Sequence, residues 1–330
     1  SMAPAAAAAS AQFTQRWPEL KGEACPMSVA AQEKKKATIS QAFQSMLYLP
    51  LYVGINEGFF DAQGLELTKE TAGAPSSALS AVIAKSADFS LHGPEWTAIS
   101  ASKGAPVFVI ANVVNGAAVW IATSPDLKFT SVADLKGQKV VTGTMPTTST
   151  SLFMKLLKDN GLDPAKDVEL VQVPLGTEPG AFLAGQGKVA VLYQPGLEQV
   201  LAKGMKVVLG FPKLYGAYAF SAITVRNDVD PVLAQKLTNG LEMAMRFMQS
   251  NELKTIEIAK KEFPKLDPAI VEAAVKRMLA EGVYPKNVDI SADALKLGLA
   301  TQIVLGNLAA QPDYEAFVPK TYIGKALSIK

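Results

Sequence analysis

From Ala37 onward the apolar residues fall into short strand-length runs, separated by segments in which they recur every three or four positions. The first pattern marks strands and the second amphipathic helices. It predicts strands over 38–43, 65–70, 88–91, 106–111, 118–123, 139–142, 168–173, 189–193, 206–209 and 219–225, with helices near 48–58, 76–85, 95–103, 149–160, 178–185 and 196–203. Such alternation builds βαβ units and mostly parallel sheets, an α/β fold. After residue 225 the pattern is helical. Asp230-Pro231 supplies an N-cap and a first-turn proline, and Leu233, Leu237, Leu241, Ala244 and Met248 then line one face. Asp267-Pro268 repeats the device before Val271, Ala274, Val275 and Met278. Ser131-Val-Ala-Asp134 is a capping-box pattern, and Gly137 ends the short helix it opens.

The pattern also repeats. Residues 81–110 and 181–210 align without gaps at an offset of 100, with Ala81/Ala181, Ala84/Ala184, Lys103/Lys203, Gly104/Gly204 and Val107/Val207 identical. Each block reads helix end, strand, turn, helix, Lys-Gly stop, strand. The strands at 38–43 and 65–70 find counterparts at 139–142 and 168–173 under nearly the same shift. Two similar α/β lobes follow, and the period is too long for a solenoid.

A chain of 330 residues has the length for two domains. With 49% hydrophobic and 19% charged residues it has apolar mass for real cores. Thirty-two basic residues against 30 acidic leave a net charge of +2, which argues against nucleic-acid and polybasic membrane partners. One histidine and one cysteine exclude an internal disulfide and any Cys/His zinc motif, so no metal or cofactor is expected. Residues 1–36 read as an N-terminal tail or arm. Ser1-Met2 looks like a remnant of expression cloning, and the small apolar residues 3–11 resemble the end of a secretory signal. Cys25 reads as an incidental thiol.

In open α/β sheets ligands collect at the carboxyl ends of the strands. Those ends are the turns 44–48, 71–77 and 92–96 in one lobe and 144–149, 174–178 and 193–196 in the other. The candidate ligand-binding residues are Gln44, Ser45, Tyr48, Gly73, His92, Glu95, Trp120, Thr147, Thr148, Ser149, Tyr193, Gln194 and Tyr218. The hydroxyls of Thr147–Thr150 open a predicted helix, where free N–H groups favour an anion. Short hydroxyl residues also serve simply as caps there. No Lys or Arg falls in the six turns; Lys69, Lys85, Lys103 and Lys155 are placed away from them. Catalytic residues are not evident: His92 is the sole imidazole, Glu95 a single carboxylate, and no phosphate-binding glycine loop is present.

The segments Gly58-Phe-Phe-Asp-Ala-Gln-Gly64-Leu, Ala72-Gly73 and the run to Asp88, with Ser131-Val-Ala-Asp-Leu-Lys-Gly-Gln-Lys139-Val, resemble the solute-binding proteins of bacterial ABC importers. The likeness spans about residues 38–310 and is narrowest to the group serving sulfonates, taurine, nitrate and thiamine-type pyrimidines. It implies a type II periplasmic-binding-protein fold, two lobes closing on a small-molecule ligand in the cleft they share. Two crossover segments are expected near 112–118 and 219–226. Lobe 1 would then comprise 37–115 and 226–330, and lobe 2 116–225.

The resemblance further implies a periplasmic monomer, its signal peptide removed, that delivers a sulfonate, carboxylate or pyrimidine-like solute to an inner-membrane permease. Where many relatives carry a Trp-Asp-Pro-like turn this chain has Tyr193-Gln194-Pro195, and Ala190 replaces the usual Asp of the preceding strand. An amine held at that turn is thereby disfavoured. The enzymatic pyrimidine-synthase branch carries a cysteine-rich motif that a chain with one cysteine cannot reproduce. A cleft synthase or lyase, or the ligand-binding domain of a sensory system, are the alternative readings.

Overall fold

The structure is a computed structural model that describes residues 33–145 and 147–330. The expectations for residues 1–32, including the signal-like segment and Cys25, lie outside the described residues. Ten strands appear in chain order: β1 (Lys35–Gln41), β2 (Leu65–Thr71), β3 (Phe89–His92), β4 (Val107–Val114), β5 (Trp120–Thr123), β6 (Lys139–Gly143), β7 (Glu169–Val173), β8 (Val189–Leu192), β9 (Lys206–Gly210) and β10 (Ser221–Arg226). They form two five-stranded sheets, ordered β2-β1-β3-β10-β4 and β7-β6-β8-β5-β9.

The sheets share one topology. In the first, β1 runs parallel to β2 and β3, and β10 runs antiparallel to β3 and β4. In the second, β6 runs parallel to β7 and β8, and β5 runs antiparallel to β8 and β9. The repeat at offset 100 is therefore a repeat of strand order, with one reversed strand in the same slot of each sheet.

The chain forms two compact units. Among the described residues unit 1 contains 33–116, Ala217–Glu262 and Gly282–Lys330, and unit 2 those of Ala117–Gly216 and Phe263–Glu281. Three differences from the expected organisation follow. Strand β10, expected in lobe 2 as part of 116–225, belongs to the sheet of unit 1. All but its last residue are buried, and an apolar run of this kind fits the middle of either sheet. Helix Pro268–Ala280, expected in lobe 1, packs in unit 2 against helix Gly196–Leu201. The chain accordingly changes unit four times rather than twice. The charged run 33–36 is not wholly tail either. Lys35 and Lys36 open β1 beside Leu65 and Glu66, and Lys34 and Lys35 pair with Asp61 at 2.9 Å and Asp230 at 3.1 Å.

The core of unit 1 explains the Gly58–Gly64 segment. Gly58 and Gly64 sit at φ +74° and flank the short helix Phe59–Ala62, which drives two phenylalanines inward. Phe59 meets Phe247 edge-on at 5.7 Å between centroids. Phe60 lies between helices Leu49–Asn56 and Pro231–Ser250, at positions where each carries glycine, Gly54 and Gly240. Among the described residues no helix is long and apolar enough to cross a membrane.

Candidate functional site

In unit 1 the carboxyl ends of β2, β1 and β3 lie side by side, and their ladder continues into the turns. Ala42 N–H donates to Leu91 O, Ala72 N–H to Gln41 O and Gly73 N–H to Ala42 O, each at 2.9 Å. Gly73 adopts φ +91°, a conformation that favours glycine. Gln41, fully buried, organises the first turn. Its amide donates to Gln44 Oε1 at 2.8 Å and Thr71 Oγ1 at 3.0 Å, and its carbonyl accepts from the Tyr52 hydroxyl at 2.7 Å. That hydroxyl in turn accepts the Ser45 N–H at 3.0 Å, while Ser45 Oγ caps the 3-10 turn Met46–Tyr48 by accepting from Leu47 N–H. Gln44 and Ser45 are thus fixed by strand β1 itself.

Tyr48 is buried, and the Ser221 side chain at the start of β10 and the Glu95 carboxyl both lie close enough to act on its hydroxyl. Burial pushes its hydroxyl up to about 12. His92 ends β3 and is buried. Its Nδ1 lies 2.8 Å from Gly93 O and its Nε2 2.8 Å from Ser90 Oγ. A carbonyl only accepts, so Nδ1 carries the proton and Nε2 accepts from Ser90. Burial lowers this imidazole to about 4, and the ring is a neutral buttress of the turn with both nitrogens engaged.

Glu95 follows in the first turn of helix Pro94–Ser102, where desolvation raises its carboxyl to about 7. The carboxyl folds back over Gly93 so closely that a Cβ there would meet Oε1 at 2.1 Å. Phe43 and Trp96, flanking these turns, are 41% and 39% exposed, unusual for rings of their size.

Lys69 corrects the expectation that no cation reaches the turns. From the penultimate turn-facing stretch of β2 its Nζ donates to Gln44 Oε1 at 2.9 Å, stands 3.8 Å from Glu262 and covers the Tyr52 ring at 4.3 Å. A lysine stem reaches two residues along its own strand, so a basic residue outside a turn can still serve it. Tyr218 lies apart from the turns. It is buried in the stretch leading to β10, with its N–H on Asn115 O at 3.1 Å and its ring beside Phe220.

In unit 2 the equivalent edge gathers Thr147, Ser149 and Tyr193. The Tyr193 hydroxyl accepts Ser149 N–H at 2.8 Å and lies 3.3 Å from Thr147 Oγ1, which is 3.0 Å from Ser149 Oγ. Thr148 opens helix Thr148–Asp159 beside them, and Thr150 is spent on Gly143 O at 2.8 Å. The hydroxyl cluster expected to cradle an anion is thus partly occupied: Tyr193 already takes one helix N-terminal N–H. Glu178, buried at the next turn and raised by desolvation, accepts from Gly176 N–H and lies near Tyr193.

Gln194 is tethered by its amide to Glu198, which Arg277 grips through Nε and Nη2 at 3.0–3.2 Å. Arg277 also reaches Glu281 at 3.5 Å, and Glu281 accepts from Trp120 Nε1 at 3.2 Å. Trp120 is therefore a fully buried core residue against Gly210, with its one polar atom satisfied, and not a rim aromatic. Sequence reasoning named neither Arg277 nor Glu198, because a pair 79 residues apart leaves no local signature.

Removing the Tyr193 hydroxyl tests this buttress. Tyr193→Phe leaves the Ser149 N–H without its acceptor and is expected to cost about 1 kcal/mol, read as a lower urea midpoint.

Among the described residues no group of three or more His, Cys, Asp or Glu side chains stands in metal-binding geometry. The NMT1/THI5-like family model matches residues 46–249. A candidate binding protein of Bacillus subtilis (strain 168), YtlA, is 23% identical over 306 residues, covering 89% of this chain and 91% of its own length. The periplasmic aliphatic sulphonate binding protein SsuA of Escherichia coli superposes with a TM-score of 0.71 at 15% identity, covering 87% of this chain and 92% of its own. The desulfurization enzyme DszB superposes at 0.68, also at 15% identity, covering 89% and 99%. At these identities the solved structures speak for the fold. The family model matches 204 consecutive residues, more than half of the chain, and the chain belongs to the NMT1/THI5-like family.

Proposed function

We propose that this chain is the solute-binding component of an ABC importer, exported to the periplasm, monomeric and non-enzymatic, which hands a small polar organic solute to an inner-membrane permease. The observation that carries the reading is the duplicated sheet. Each copy ends its parallel strands in turns that are held by buried side chains and lined with hydroxyl, amide and carboxyl groups. Fixed donors and acceptors of this kind suit reversible binding. The family match and the sulphonate-binding neighbour support the same role. The solute is a sulfonate, a carboxylate or a pyrimidine-like heterocycle.

In this reading solute binding is coupled to a conformational change, and a ligand shifts such an equilibrium only by its differential affinity for the two states. Titration calorimetry with ethanesulfonate, benzoate and 4-aminopyrimidine is expected to give saturable heat for at least one probe. Small-angle scattering with that probe at saturation is then expected to show a smaller radius of gyration. An absence of heat from all three, or an unchanged radius at saturation, counts against the reading.

The same fold serves the enzyme DszB, so catalysis is the competing class. Mass spectrometry of the bound probe after prolonged incubation separates them. Recovery of the probe unaltered supports a carrier, and conversion to a product supports an enzyme.

A further inference from the structure

Glu198 is buried, and its carboxylate spends every acceptor it has. Oε1 accepts from Arg277 Nε at 3.2 Å and Nη2 at 3.1 Å, and Oε2 from Arg277 Nε at 3.0 Å and from the Gln194 amide. A carboxylate offers about four lone-pair sites, so none is left here for a solute. Arg277 is steadied in turn by Glu281, whose other oxygen accepts from Trp120 Nε1. All five residues belong to unit 2, although Arg277 and Glu281 arrive on the separate segment Phe263–Glu281.

Replacing a buried ion pair with apolar groups is commonly neutral for stability, so what such a pair fixes is geometry. Here it fixes Gln194. A carboxylate only accepts, so the amide presents Nε2 to Glu198, while its Oε1 takes the Glu198 N–H at 3.4 Å. One N–H of the amide is left uncommitted. The surrounding turn carries three reporters of its position. Leu197 N–H donates to Tyr193 O and Gln199 N–H to Pro195 O, each at 3.0 Å, and Ser149 N–H donates to the Tyr193 hydroxyl at 2.8 Å. Unit 1 holds a turn glutamine in the same way. Gln44 donates to Glu262 at 3.4 Å and accepts from Lys69, which stands 3.8 Å from Glu262. Gln44 and Gln194 do not correspond under the offset of 100, so a glutamine, a carboxylate and a cation meet twice without being copied.

We infer that Glu198, clamped by Arg277, is a positioning residue of the site: it holds the Gln194 amide, and with it the turn 193–196, in the one orientation that leaves a single N–H for the bound solute. This role rests on the solute-binding reading. Glu198 acts through Gln194 and does not itself touch the solute.

Glu198→Leu isolates the role, because Arg277 keeps both Glu281 and its access to solvent and no buried charge is orphaned. Amide hydrogen exchange of the full chain is expected to quicken about tenfold or more at Leu197, Gln199 and Ser149, and far less in β6 and β8. Ser149 lies 44 residues from Tyr193, so a contact that merely secured the start of helix Gly196–Leu201 would leave it unmoved. Glu198→Gln keeps an acceptor at the same place and is expected to restore most of the protection. In calorimetry with ethanesulfonate, benzoate and 4-aminopyrimidine, each probe that the wild type binds is expected to weaken about tenfold in Glu198→Leu and less in Glu198→Gln. A thermal melt establishes that each variant is folded; should Glu198→Leu not be, Gln194→Leu is expected to show the same quickening and the same weakening. Unchanged exchange at Ser149, a rise shared equally by β6 and β8, or wild-type affinity in Glu198→Leu overturns the inference. A wild type that binds none of the three probes ends the carrier reading instead, and exchange at Ser149 then decides alone whether Glu198 positions the turn.

Discussion

Gly240→Ala is expected to destabilise the protein by about 2–3 kcal/mol, although alanine in a helix interior is ordinarily worth about 1 kcal/mol over glycine. The reason is Phe60. A Cβ on Gly240 would lie 2.4 Å from its Cδ1, and a Cβ on Gly54, on the other helix, 2.5 Å from its Cε2. The ring is gripped from both edges and cannot retreat from one without striking the other. Nor can it leave, because it is 2% exposed in the core. Truncating it with Phe60→Ala should cost about 3–5 kcal/mol through the cavity left behind. The contact itself is isolated by Phe60→Leu. In the Gly240→Ala background the smaller side chain relieves the clash, so the double variant should be more stable than the two single losses predict together. Urea midpoints of the four proteins test this. A gain in stability from Gly240→Ala alone would mean that the ring shifts freely and that helix propensity decides.

The same glycines show what a sequence gives away. Their neighbours Gly58-Phe-Phe-Asp-Ala-Gln-Gly64 were legible as a family resemblance, and their physical content is a pair of left-handed turns that force two rings inward. Helix starts were legible too, because a cap is a local device. Asp230 and Asp267 accept from Val232 and Ala269 N–H at 2.9 Å, and the Ser131–Asp134 capping box is present. The strand order repeated at offset 100 because each sheet is built from successive local βαβ units.

What stayed hidden is non-local. The slot of β10 depends on partners more than 100 residues away, and its apolar pattern suits either sheet. Helix Pro268–Ala280 is amphipathic wherever it docks. At the site, the turns were found but not the groups that reach them from elsewhere. Lys69 comes from mid-strand, Ser221 from β10, and Arg277 from a helix of another segment. The two candidates outside the six turns fared differently from those within them. Trp120 and Tyr218 are buried away from the turns, whereas Gln44, Ser45, Tyr48, Gly73, His92 and Glu95 lie along one edge of one sheet.

His92 and Glu95, three residues apart, should impose opposite pH dependences on stability over nearly the same range. The carboxyl of Glu95 is raised from 4.5 to about 7, so between these values the folded chain holds a proton that the unfolded chain releases. Its contribution is complete below pH 4.5 and is lost as pH rises through 7, a change of about 3 kcal/mol. His92 is lowered from 6.5 to about 4, so there the unfolded chain binds the proton that the folded chain refuses. Its contribution is complete above pH 6.5 and is lost as pH falls toward 4, by a similar amount. The two slopes largely cancel in the wild type between pH 4.5 and 6.5. Glu178 and Glu242, raised by burial in the same sense as Glu95, tilt the remainder toward acid stability. Asp126, Asp134, Asp228 and Asp230 are held low by their partners and act only below about pH 4. Single replacements uncover the opposed slopes. In Glu95→Gln stability should rise by about 3 kcal/mol relative to wild type on going from pH 4.5 to 8, and in His92→Gln it should rise relative to wild type on going from pH 6.5 to 4. Urea denaturation at half-unit pH intervals gives both differences without depending on the constant cost of either substitution. Parallel wild-type and variant curves for Glu95→Gln would place its carboxyl in ordinary solvent.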